Sequence, residues 1–191
     1  SWQLINEHLK LEKKVIDLEK KIAEQTLKIL SKKTWNSLRI EEILKISNKK
    51  NIKIKSKIDL LKNINRYVDS LLILQMNSIE NSSTKDMLFE VLMARFDILQ
   101  QNRKSFIEIY KGLKNSPKYF IKLLPSFLES MIVTAELSKY NVNGLRGSIR
   151  LKGLMLVYFI TFFKWLEDKN ASLEKTMTAL DQNLDQAEKL M

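Results

Sequence analysis

The sequence predicts an all-α protein, and three observations carry that expectation. Its 191 residues include only four glycines and two prolines, too few turn residues for a β-rich chain. Apolar residues recur at steps of three and four through most of the length. Residues 149–166, IRLKGLMLVYFITFFKWL, form a helix whose middle, residues 154–163, carries no charge. A helix that is apolar on every side has to be surrounded. That uncharged middle is about half of the roughly 20 residues needed to span a bilayer. Arg150, Lys152 and Lys164 close it off. A central helix wrapped by protein is therefore expected, and no transmembrane segment.

Taken in order, residues 3–31 read as one long helix. Leu4, His8, Leu11, Val15, Leu18 and Ile22 follow a heptad seam, and Lys32-Lys33 end the helix with favourable dipole charge. Three heptads make a marginal coiled coil, so the simpler expectation is an amphipathic helix lying on the body. Ser37 can cap a short helix over 38–47, and residues 48–51 read as a turn. Ile52, Ile54 and Ile58 alternate with Lys53, Lys55 and Lys57, and Ser56 can cap a helix over 57–76. The polar run 81–84 marks a boundary, where Ser83 and Asp86 resemble a capping box ahead of a helix over 85–100. Residues 103–113 form the next helix. Ser116-Pro117 then starts another, which Pro125 is expected to kink or split. Residues 141–147 read as a loop before the central helix. Ser172 can cap a last helix whose Leu173, Met177, Leu180, Leu184 and Ala187 again step by three and four.

Composition narrows the function classes. There is no cysteine, which excludes disulfides, thiolate metal sites and cysteine nucleophiles. One histidine, His8, leaves little from which to build a metal site or a serine triad, and no cofactor is expected. No motif supports catalysis, so the chain reads as a non-enzyme. A net charge of +11 points to an anionic partner, although the abundance of Lys, Ile and Asn matches the bias of an AT-rich genome. No signal peptide is visible in residues 1–30, and the chain starts at Ser1-Trp2 without methionine, as a processed or incomplete product would. The expected compartment is the bacterial cytoplasm or, for a processed organellar protein, the mitochondrial matrix.

Residues 22–67 resemble the DNA-binding head of the TetR family of bacterial repressors. Thr34-Trp35 matches that family's Gly-Trp-like step, Ile43-Leu44 its Ile-Ala-like pair, and Ser56-Lys57-Ile58-Asp59-Leu60 the start of its fourth helix. The resemblance implies an N-terminal extension (1–19), a small three-helix head with a helix-turn-helix (20–80) and a larger ligand-binding and dimerisation domain (83–191). Between Leu44 and Ser56 the chain departs from the family. The segment SNKKNIKIK has no glycine and no aromatic residue, and is about one helical turn short. Its alternation of Ile and Lys suits an extended segment. The C-terminal stretch is equally similar to the TetR-like lipid-binding accessory proteins of ubiquinone biosynthesis, through Tyr158, Trp165-Leu166-Glu167-Asp168 and Thr176.

These readings place candidate sites in three regions. Lys49, Lys50, Lys53, Lys55 and Lys57 form a basic patch that would hold DNA phosphates weakly and without sequence preference. The resemblance implies a pocket for a hydrophobic small molecule or lipid, with Phe96, Phe127, Met131, Tyr158 and Thr161 on its wall. It also implies a homodimer through a four-helix interface made by residues 149–166 and 172–191 of each copy, in which Leu173, Met177, Leu180 and Leu184 form the seam. Three classes result: a regulator that binds DNA weakly, a lipid- or quinone-binding accessory protein, and a structural subunit of a larger assembly.

Overall fold

The structure, a computed structural model, describes residues 2–45, 53–76 and 82–190. Among them the chain is all-α, with eight helices and no strand. They are α1 (Trp2–Leu30), α2 (Ile40–Leu44), α3 (Lys57–Gln75), α4 (Thr84–Gln101), α5 (Arg103–Lys114), α6 (Pro117–Leu137), α7 (Gly144–Glu167) and α8 (Glu174–Leu190). None is long and apolar enough to cross a membrane.

Local chemistry explains the starts of α3 and α4. At α3 the Ser56 hydroxyl accepts the Asp59 N–H (3.2 Å), while the Asp59 carboxylate accepts the N–H groups of Ser56 (3.2 Å) and Lys55 (2.9 Å). That reciprocal pair is a capping box with Asp in the acidic place. The Ser83 hydroxyl accepts the Asp86 N–H (3.2 Å) at the start of α4. Ser37 does not cap α2. The residue before that helix is Arg39, and the Ser37 hydroxyl instead donates to the Thr34 carbonyl (2.9 Å) within a turn. Pro125 does not split its helix, because α6 runs through it unbroken from Pro117 to Leu137.

The residues fall into two compact units that do not follow the division at 81–83. The first comprises residues 1–67 and 102–123, the second 68–101 and 124–191. In the first, the C-terminal half of α1 supplies Ile22, Ala23, Leu27 and Leu30 to a core shared with Trp35, Leu38, Ile43 and the Leu60–Ile64 face of α3. The Ser105 hydroxyl of α5 donates to the Leu27 carbonyl, and the Asn63 amide of α3 donates to the Glu19 carbonyl (2.9 Å).

In the second unit the wrapped helix is α4, not α7. Buried positions on α4 include Met87, Leu88, Val91, Leu92, Phe96, Ile98 and Leu99, and even Arg95 is covered. On α7 the buried residues are Gly147, Leu154, Val157, Tyr158, Thr161 and Trp165, all towards one side. Helices α4, α7 and α8 touch one another pairwise. Sequence favours α7 for the centre because Glu90, Arg95 and Asp97 dilute the apolar pattern of α4.

Candidate functional site

Helix α1 divides into a held half and a free half. From Glu19 onward it is fixed by Asn63, by the Tyr67 hydroxyl donating to Glu24 (3.3 Å), and by Ser105. Residues 2–14, 16 and 17 are all exposed. The expectation that the whole helix lies on the body is met by its second half and overturned for this first segment. Trp2 is 80% exposed, Leu11 60% and Ile16 64%, with Leu4, Ile5 and Leu9 similarly open. At about 100° per residue, Leu4 and Leu11, His8 and Val15, Ile5, and Trp2, Leu9 and Ile16 share one broad arc. Lys10, Lys13, Lys14 and Glu7 lie opposite. This arm is an apolar helix face with nothing packed on it.

A second open face lies on α7. Ile149, Leu156, Ile160 and Phe163 step by seven, four and three, which aligns them on one stripe. Leu156 is 59% exposed and Phe163 52%. The physical rule that an all-round apolar helix needs cover is thus met on one side of α7 only. Leu180 and Leu184 of α8 and Leu173 just before it are buried, and Met177 half-buried, within the second unit itself. The seam expected from α8 is thus occupied by the chain's own helices, and the apolar residues left open belong to α7.

The structure describes three of the five lysines of the basic patch. Lys49 and Lys50 lie outside the described residues. Lys53 and Lys55 are exposed on a non-helical segment, with Ile54 buried between them. Lys57 is engaged: its ammonium donates to the Trp35 carbonyl (2.7 Å) and lies 5.0 Å from the centre of the Trp35 ring. Burial lowers its pKa.

The expected pocket residues are mostly buried, and two of them, Phe96 and Tyr158, are in direct contact. Phe96, Met131 and Thr161 are fully buried and Phe127 is half-buried. The Phe96 and Tyr158 rings sit 5.5 Å apart. The Thr161 hydroxyl donates to the Val157 carbonyl (2.7 Å) and accepts from the Asn183 amide (3.1 Å). Sequence reasoning missed the polar group beside them. Arg95 pairs with Asp69, and the other Asp69 oxygen accepts from the Ser130 hydroxyl (2.8 Å). The guanidinium lies 5.6 Å from the Tyr158 ring centre, and its Nε is buried without a hydrogen-bond partner. Burial raises the Asp69 pKa, against the opposing pull of Arg95 and Ser130. Burial also raises that of the Tyr158 phenol. A lone Arg in a helix such as α4 gives no sign in sequence that it is buried.

Open space lies elsewhere in the second unit. A groove of about 230 Å³ has a floor of Leu88, Leu154 and Leu184 and a rim of Lys85, Arg150 and Glu188. Lys85 is bridged to Asp181 (3.3 Å) and Asp185, which offsets its charge. None of the five expected pocket residues lines this groove. Among the described residues no group of three or more His, Asp or Glu is placed to hold a metal ion.

No protein-family model matches the chain, and no curated protein matches it. The TetR resemblance therefore rests on the residues that carry it, and the open helix faces are the features from which function is argued.

Proposed function

We propose that this protein is a self-associating helical subunit, with a binding rather than a catalytic role. In it the α7 stripe packs against the same stripe of a second copy. The observation that carries the reading is the exposure of Ile149, Leu156, Ile160 and Phe163 on one line of α7. Each is already about half covered, so burying the remainder is worth about 1 kcal/mol per side chain, and an isologous contact counts every residue twice. Two helices from each copy, α7 and its neighbour α8, would then form a four-helix packing in which α8 serves as the backing layer. Light scattering on a Leu156→Glu/Phe163→Glu variant tests this. The variant should be lighter than the wild type with helicity unchanged, because both positions are open to solvent. A mass equal to that of the wild type would overturn the reading.

A second reading is a carrier of a hydrophobic small molecule. It is favoured by the groove between α4, α7 and α8, whose volume is below the roughly 300–1,000 Å³ of drug-sized sites. Native mass spectrometry of gently extracted protein would find the co-purifying species. Any contact with DNA phosphates through the described part of the basic patch falls to Lys53 and Lys55, since Lys57 is engaged with Trp35.

A further inference from the structure

We infer that the free half of α1 is a second, separate self-association element. It docks antiparallel on the free half of α1 from another copy. The inference does not rest on the α7 stripe, which belongs to a different helix.

The register follows from charge and from where the helix is held. Glu19 and residues after it make the bonds to Asn63, Tyr67 and Ser105, whereas the apolar positions before it are open to a partner. Shifting an antiparallel pair by one heptad in either direction would oppose Glu7 to Glu7 or Lys14 to Lys14, so the favoured pair has its twofold axis between Leu9 and Lys10. Leu4 then packs against Val15 of the second copy and His8 against Leu11, which continues the heptad seam through the axis. Glu7 meets Lys14 of the second copy, and by symmetry this happens twice. At about 1.5 Å per residue the overlap is roughly 24 Å long. The held half of α1 supplies an already formed helix, so the costly nucleation step that makes short isolated helices marginal is removed.

The other occupants fit less well. A parallel pair in register sets Glu7 against Glu12, and it turns the flank bearing Trp2, Leu9 and Ile16 towards the lysine-rich flank of its partner. The antiparallel pair instead brings the two apolar flanks to the same side, where Trp2 of one copy runs towards Ile16 of the other. A bilayer surface would have to accept the Glu12 carboxylate, which lies within the apolar arc, with Glu12 paired to His8 at 3.3 Å.

The chain has no cysteine, so introduced thiols report unambiguously. The experiment uses the full chain carrying Leu156→Glu/Phe163→Glu, which removes association through α7. In that background, mixing Leu4→Cys chains with Val15→Cys chains under mild oxidation should give the mixed disulfide dimer. Leu4→Cys alone should give little. Glu7→Lys should weaken the dimer, and Glu7→Lys/Lys14→Glu should restore it. Leu4→Cys homodimers forming in preference would overturn the antiparallel pairing. The absence of every crosslink would overturn the second copy as the occupant. Hydrogen exchange over residues 2–17 then reads the arm itself: unprotected amides leave it open for a foreign helix, and protected amides in a monomer place it on its own body. Either result counts against the inference without touching the α7 reading, which is scored separately by the mass of the chain with an intact stripe.

Discussion

The Trp35 indole lies flat against the backbone of Gly112. A Cβ added at Gly112 would fall inside the van der Waals envelope of the Trp35 ring. The same tryptophan is held from two other directions: its backbone N–H donates to the Glu108 carboxylate (3.3 Å), and its backbone carbonyl accepts from Lys57 (2.7 Å). One residue thus ties the turn after α1 to both α5 and the start of α3. Gly112→Ala should destabilise the protein by about 1–3 kcal/mol through overpacking, although alanine is the better helix former. Urea unfolding checks this, and a stabilised variant would show that the ring moves aside freely.

The Arg95–Asp69 pair makes a different prediction. Both side chains are almost fully covered. Asp69→Ala would leave the guanidinium buried and unpaired, at a cost of about 3–5 kcal/mol. Replacing both groups, as in Asp69→Leu/Arg95→Met, should recover much of that loss. The double-mutant cycle in denaturant is the measurement. A double variant no more stable than Asp69→Ala would mean that the cost arises from packing and not from the orphaned charge.

Asp168 contributes to stability in a pH-dependent way. Its carboxylate accepts the Thr176 N–H (2.9 Å), the Thr176 hydroxyl (2.9 Å) and the Asn170 N–H (3.1 Å). Burial works to raise its pKa, but the bonds from Thr176 and Asn170, with the charge of Lys175, bring it below the usual carboxylate value. A group depressed in the folded state adds stability above its unfolded pKa and loses it as pH falls through the folded one. The wild type should therefore exceed Asp168→Ala by about 1–3 kcal/mol near neutral pH. The two melting curves should converge in acid below the ordinary carboxylate range. Parallel melting temperatures across that range would remove Asp168 from the account.

Helix content and many helix starts were legible in the sequence because they depend on neighbours three and four residues apart. The Ser56–Asp59 capping box and the Pro117 start of α6 are local chemistry. So are the long span of α1 and the spacing that marks Leu180 and Leu184 as apolar contacts. Periodicity says that such residues face something, but not whether the neighbour is the same chain or another.

That choice was made by the tertiary structure. It put Leu180 and Leu184 inside the second unit, and left Leu156 and Phe163 of α7 open. It wrapped α4 in spite of its charges, because Asp69, 26 residues away in sequence, arrives beside Arg95 only when α3 and α4 pack. It drew Lys57 away from the basic patch and onto Trp35, a contact between residues 22 apart. It also left the first four turns of α1 without cover, although their heptad pattern matches that of the held half. Local sequence determines which face of a helix is apolar. Which faces are buried depends on long-range packing, where burial of the whole chain is balanced at once and no single window of residues carries the answer.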